Sequence, residues 1–561
     1  AAQELRSSVD PCFAWRHSAA MDKDERRTLR WPMKARSFLT VIAGVLLALL
    51  LLALALLWGM DRRSPLRLAS QPLELPRAAR FVPREADLSL HWLADPVRLP
   101  AYVQAVSQPS ERRASRDAAR RWRDGVFALA GLDFDRELAA WLGPELSLTL
   151  IDPGDSGGSP GWVLALTSRD SDGARRFLQR FWQTRSLAGT DLQVSRYRGM
   201  GLISGRGALL GREPQPLATA LIDDDLLLLA SGRGVLETAL DVSQLQDQHQ
   251  LGDARLQQEL SALGDGVALL TASPRALQNW LQLPPVLAER GDLTGLVAAL
   301  RPQGTDLAVE ARLRFRDRWE MPPWAPLQDL ASDAGGRAAW LASLQDPARL
   351  LALDESHPFS QWFGPLLRTQ LSNQSALESI IGRDDGPLLW LQQEAGWLLA
   401  SRSGHPDLDA VNADLEADGL ARSQLAGDGE KLQVWTRLVR QRGNGDGLQA
   451  QLAVAMAQEA GRHWWGETLE ALQGRQDHRG LQPRLQQWQQ LKLDHAPTQV
   501  LLLDSDPAQR LMARWRPWIT LQALAGQPLQ SRVRGLVLAA ESAGQDEQEP
   551  VLPLHARLEL G

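Results

Sequence analysis

Hydrophobic and polar positions divide this chain into one unbroken apolar run and a long tail of alternating patterns. The run is Phe38–Met60, FLTVIAGVLLALLLLALALLWGM, and it carries no charge. A helix of this length, rising ~1.5 Å per residue, spans the roughly 30 Å hydrocarbon core of a bilayer. In lipid the backbone must satisfy its own hydrogen bonds, so the pattern predicts a transmembrane helix over 38–60. A secretory signal has a shorter apolar core, about 7–15 residues, ending in a small-x-small cleavage site. Here the core runs into Leu-Leu-Trp-Gly-Met-Asp-Arg-Arg, which predicts an uncleaved signal anchor.

Charge beside the run sets its orientation. Lys23, Arg26, Arg27, Arg30, Lys34 and Arg36 precede it, and Arg62, Arg63 and Arg67 follow. Positive-inside counting keeps the N-terminal side in the cytoplasm and exports the rest. Met33-Lys34-Ala35-Arg36 reads as a natural start, and from there the basic count is nearly balanced. Residues 1–37 are expected to be a disordered N-terminal segment.

After the run, Pro65, Pro72 and Pro76 punctuate a polar stretch, so 61–83 reads as a linker. Folded patterning begins at Ala86-Asp87-Leu88-Ser89-Leu90-His91-Trp92, an alternating strand signal. Leu146–Leu150 alternates and pairs naturally with a strand from Trp162 to Leu166. Asp172–Thr184 places Ala174, Phe177, Leu178, Phe181 and Trp182 on one helical face. Strands are predicted at Leu192–Tyr197, Gly201–Ser204, Ala218–Ile222 and Leu226–Ala230, then a helix near Gly234–Leu240. A hairpin closes this half, Thr294–Leu300 and Leu307–Phe315, turned at Pro302-Gln303-Gly304.

The chain then repeats itself. Gly161-Trp162-Val163-Leu164-Ala165 recurs as Gly396-Trp397-Leu398-Leu399-Ala400, and Leu192-Gln193-Val194 as Leu432-Gln433-Val434. Val267-Ala268-Leu269-Leu270 recurs as Val500-Leu501-Leu502-Leu503, and Gly295-Leu296-Val297 as Gly535-Leu536-Val537. Ala311-Arg312-Leu313 recurs as Ala556-Arg557-Leu558. The order holds throughout and the spacing drifts little, which predicts two copies of one domain rather than a short-period solenoid. The predicted fold class is therefore α+β: a single N-terminal transmembrane helix, then two related, mostly antiparallel sheet-plus-helix domains with helices on one face. The boundaries are 84–318 and 348–561, with an inter-domain linker at 319–347 around Pro322-Pro323 and Gly335-Gly336.

Composition narrows the function classes. A net charge of −6 gives no reason to expect a nucleic-acid partner. The one cysteine, Cys12, precedes the apolar run, so the large part has neither disulfide nor thiol chemistry. Gly154-Asp155-Ser156-Gly157-Gly158 resembles the nucleophile motif of chymotrypsin-like proteases. That chemistry needs a His base and an orienting Asp. Upstream of Ser156 stand only His17, across the apolar run, and His91, inside a strand pattern, so a hairpin loop explains the motif better. The nine histidines show no shared-helix ligand spacing. Arg198-Gly199-Met200-Gly201 lacks the strand–loop–helix setting of a phosphate loop, Asp223-Asp224-Asp225 reads as a solvated turn, and Arg290-Gly291-Asp292 as a chance tripeptide. The chain has 21 Trp against 2 Tyr, with Trp464-Trp465, Trp515 and Trp518 clustered late; core packing accounts for them. No catalytic, cofactor-binding or metal-ligating set emerges.

Gly131-Leu132-Asp133-Phe134-Asp135-Arg136-Glu137-Leu138, then Trp141-Leu142-Gly143-Pro144-Glu145-Leu146, together with Phe81-Val82-Pro83-Arg84-Glu85-Ala86, resembles a bacterial family catalogued as domain of unknown function 3352. The resemblance covers most of the chain after the apolar run. It implies a cyanobacterial source and a plasma or thylakoid membrane, and it carries no functional residues. The expectation is an uncharacterised, non-enzymatic, membrane-anchored protein, with its large domain in the periplasm or thylakoid lumen. It would bind the bilayer through Phe38–Met60 and act as a scaffold or assembly factor for a membrane-protein partner. Alternatives are a carrier of a lipid or other apolar ligand and, less so, a hydrolase.

Overall fold

A computed structural model describes most of residues 64–561; outside it lie 1–63 and short stretches, the longest at 152–160, 208–214, 320–326, 332–337, 441–447 and 543–549. Phe38–Met60 therefore falls outside the described residues, as does Ser156. Among the described residues no helix is long and apolar enough to cross a membrane. Pro65–Gly561 forms one compact unit.

The strand signals of the sequence become twenty strands of one sheet. They are β1 Leu88–Trp92, β2 Leu142–Ile151, β3 Gly161–Ser168, β4 Gln193–Tyr197, β5 Met200–Gly207, β6 Gln215–Ile222, β7 Leu226–Ala230, β8 Ala268–Ala272, β9 Leu293–Gln303 and β10 Asp306–Phe315. The rest are β11 Trp340–Leu344, β12 Leu388–Gln393, β13 Gly396–Arg402, β14 Ala421–Gly427, β15 Glu430–Arg440, β16 Leu448–Glu459, β17 Arg462–Gly466, β18 Pro497–Asp504, β19 Val533–Glu541 and β20 Val551–Leu560.

Every pairing is antiparallel. From one edge the order is β4-β5-β6-β7-β3-β2-β1-β8-β9-β10. From the other it is β14-β15-β16-β17-β13-β12-β11-β18-β19-β20. Each strand of the first series has its counterpart, ten strands later in the chain, at the same place in the second. β10 and β20 then pair with each other and close the two series into one sheet. Four of the five sequence recurrences fall on such counterpart strands. Leu192-Gln193-Val194 and Leu432-Gln433-Val434 do not: the first leads into β4 and the second lies in β15, the counterpart of β5.

Side chains alternate across each strand, and here both faces are covered. In β12, Leu388 and Trp390 enter one core cluster, which also holds Phe359, Phe363, Val411, Leu415, Trp435 and Trp465. Leu389 and Leu391 enter another with Leu472, Leu481 and Trp488. Helices Pro358–Leu371 and Leu408–Ala417 thus lie on one face, and Leu469–Gln473 and Gln482–Gln489 on the other. This corrects the expectation of helices on a single face. The near-continuous apolar runs, such as β7 with every residue buried, are what a doubly covered strand requires.

Two stretches read as linkers are folded. From Pro65, the segment 61–83 makes short helical turns at Pro65–Ala69 and Arg77–Phe81, and it buries Leu68, Leu73, Ala78, Ala79, Phe81 and Val82. Its prolines fix turns, while its regularly placed apolar side chains supply the packing. In 319–347, Trp340–Leu344 forms β11, an interior strand paired with β12 on one side and β18 on the other. The Pro and Gly signals there lie upstream of an apolar strand that begins before residue 348.

Candidate functional sites

His91 meets a serine, Ser147, inside the sheet. In the β1–β2 ladder His91 lies opposite Ser147, and its Nδ1 is 2.8 Å from the Ser147 Oγ. Nε2 lies 3.0 Å from the Gln250 amide oxygen, and the Gln250 amide nitrogen donates to Ser89 and Thr271. With Nε2 donating to Gln250, Nδ1 is left to accept the Ser147 proton. All five side chains are buried. Burial pulls the imidazole down to about 4, so it stays neutral. A Ser–His pair with no carboxylate behind it and no opening to solvent is a satisfied polar layer, not a nucleophile.

The other sequence motifs resolve into structure. Asp223 and Asp224 hold left-handed backbone in the β6–β7 turn, and their carboxylates diverge. Arg77 bridges Asp223 and Asp225 at 3.3 and 2.6 Å, while Arg175 takes Asp224. Arg198-Gly199 turns β4 into β5, with Arg198 on Asp241 at 2.8 Å. Within Arg290-Gly291-Asp292, the guanidinium clasps the Asp292 carboxylate at 2.6 Å. Trp464, Trp465 and Trp518 are buried; Trp515 is partly exposed and donates to the Leu281 carbonyl at 3.0 Å. Two cavities, of about 630 and 490 Å³, are open and lined mainly by charged and amide side chains.

Open strand edges and exposed apolar side chains coincide at the two ends of the sheet. Among the described residues β4 pairs only with β5, and β14 only with β15. Both edge strands face solvent, and Ala421–Ala426 is exposed throughout. Beyond β14, β15 and β16 continue as a two-stranded arm, Arg437–Arg440 against Leu448–Gln451. Apolar side chains stand out on these elements: Val194 on β4, Leu425 on β14, and Leu438 and Leu448 on the arm are 77%, 43%, 63% and 65% exposed. A strand edge with free backbone groups and no proline or charge cluster is a template for another strand.

A second feature lies at the open end of the β12–β13 hairpin. The register pairs Leu388 with Ser401, so four residues outward on each side Asp384 and His405 share one corner. Ligand atoms of Asp384, Asp385 and His405 all lie within 4.8 Å of one another. Asp384 is fully buried. Its Oδ1 accepts from the Gly386 amide at 3.0 Å, and its Oδ2 has no hydrogen-bond partner. Burial, with Asp385 and Asp346 nearby, pushes the carboxyl up to about 8. His405 Nδ1 lies 2.5 Å from Asp385 Oδ1. The imidazole rests over Gly386, where a Cβ would come within 2.8 Å of the ring. The His405 carbonyl accepts from Ser401 Oγ at 2.8 Å and faces His463 Nδ1 at 3.3 Å. Sequence reasoning searched for histidines sharing a helix and so passed over this trio. Only the hairpin register brings 384 and 405 together.

Comparison with known proteins adds a family. The profile of the family described as "Protein of unknown function (DUF3352)" matches residues 40–550. Among proteins of curated function none matches the chain. Solved structures of TP0453 in crystal forms I and III are similar over 44% of this chain and 82% and 83% of theirs, at 9% and 10% identity and TM-scores of 0.25 and 0.23. Likeness at that level carries no argument about this chain.

Proposed function

We propose, for a chain that belongs to the DUF3352 family of proteins of unknown function, a membrane-anchored, non-enzymatic binding role. In this reading Phe38–Met60 is the anchor and Pro65–Gly561 works in the periplasm or thylakoid lumen as a scaffold or assembly factor. The observation that carries it is the pair of exposed sheet ends, β4 and the β14–β16 arm, each with a strand edge and outward apolar side chains. Such edges bind extended segments by strand addition: main-chain hydrogen bonds give affinity and alternate side chains give selectivity. Two edges on one rigid sheet fit a protein that holds two segments, of one partner or of two.

The mirrored strand order supports reading the two halves as copies of one domain, the first over 84–318 and the second over 348–561. It favours duplication as the origin of the two ends. A carrier of apolar ligands is less favoured, because the two described cavities are polar and Trp390, Trp435, Trp465 and Trp488 fill cores.

The test compares the full chain with a Val194→Lys/Leu425→Lys variant, both recovered from detergent-solubilised native membranes. The expected result is a membrane protein that co-purifies stoichiometrically with the natural chain and is lost from the variant. Identical recovered sets would contradict the reading.

A further inference from the structure

We propose that Asp384, Asp385 and His405 bind a divalent transition-metal cation at the open end of the β12–β13 hairpin. This goes beyond the binding role above and does not rest on it.

The strongest reason is the burial of the Asp384 carboxyl, which is fully shielded from solvent. Burying an ion is unfavourable by several kcal/mol unless something compensates it. Asp384 has one backbone donor on Oδ1 and none on Oδ2. That side chain lies in one cluster with a second carboxylate and an imidazole, with ligand atoms of all three within 4.8 Å of one another.

The surroundings are built for a ligand. Ser401 and His463, both buried, fix the His405 backbone, and Gly386 leaves room for the ring. Asp385 is 73% exposed, so its side chain has room to move away from His405 and admit an ion between the two. A 2+ ion against two carboxylates is charge-neutral. One imidazole and two carboxylates suit a borderline ion such as Zn²⁺ or a harder one such as Mn²⁺ rather than soft Cu⁺. Three protein donors leave at least one position for water or for a group from outside the chain.

The test titrates ZnCl₂ and MnCl₂ into chelator-stripped full-length protein in detergent, read by calorimetry and, for Mn²⁺, by electron paramagnetic resonance. One equivalent per chain is expected. Asp384→Asn keeps the shape, and Asp384→Leu replaces the carboxyl by an apolar side chain of similar size; each is expected to weaken binding at least tenfold with the near-UV circular dichroism preserved. His405→Gln, at a partly exposed site, provides the same readout should either Asp384 variant fail to fold. Unchanged stoichiometry and affinity in the folded variants would overturn the proposal, as would a folded natural chain that takes up neither ion at millimolar concentration.

Discussion

Glu310 faces His555 across the β10–β20 ladder, and the two positions are 245 residues apart in the chain (555 − 310). On either side Val309 meets Ala556 and Ala311 meets Leu554, so the same spacing of 245 relates each pair to the other. A local two-fold axis therefore passes between Glu310 and His555, at the middle of the sheet. Each side chain finds its partner one strand inward in its own half: Glu310 takes Arg301 of β9 at 2.8 Å, and His555 lies 2.9 Å from Glu541 of β19. The two pairs hold the same places with the acid and base exchanged.

The joint is predicted to make the two halves one folding unit. Leu313 and Leu552 are direct ladder partners and both buried. Leu313→Ala is expected to destabilise by about 2–5 kcal/mol, the usual range for a buried leucine truncated to alanine. Denaturant unfolding followed by tryptophan fluorescence should remain a single transition at a lower midpoint. Two separated transitions would mean that the halves unfold independently.

His91 predicts a pH dependence of stability. Its folded pKa lies near 4, below its ordinary 6.5, because burial disfavours the imidazolium. The contribution is fully present above pH 6.5 and is lost as pH falls toward 4, since the unfolded chain takes up a proton that the folded chain refuses. At ~1.4 kcal/mol per pKa unit the full loss is about 3 kcal/mol. The stability difference between the natural chain and His91→Gln should shrink by that order between pH 7 and pH 4. A constant difference would show that His91 is not held neutral.

The anchor reading predicts a topology. Protease added outside right-side-out plasma-membrane vesicles, or outside inside-out thylakoid vesicles, should remove the part after residue 64 and spare a fragment carrying Phe38–Met60. Full protection until detergent is added would place the large part on the other side and remove the basis for an extracytoplasmic role.

Much of the local structure was legible in the sequence because alternation and amphipathic spacing encode it directly. Asp172–Thr184 is the core of helix Ser171–Leu187, Leu226–Ala230 is β7, and the predicted closing hairpin is β9–β10. Local periodicity could not reveal that β10 pairs with β20, because nothing near Leu307–Phe315 names a partner over two hundred residues away. Trp340–Leu344 was hidden for another reason: Pro and Gly just upstream read as a linker, yet the apolar run after them is central enough to pair on both sides. The Asp384–His405 corner needed the β12–β13 register, and the exposed ends needed the strand order. Composition carries neither.

Site-specific photo-crosslinking in native membranes tests the binding role most directly. A photoreactive amino acid would be placed at Leu425 or Leu438, with Val286, 53% exposed on helix Pro285–Ala288 between the interior strands β8 and β9, as control. The account predicts a discrete crosslinked partner from Leu425 and Leu438 and none from Val286. The same products from all three sites, or none from the sheet ends in correctly localised protein, would contradict it.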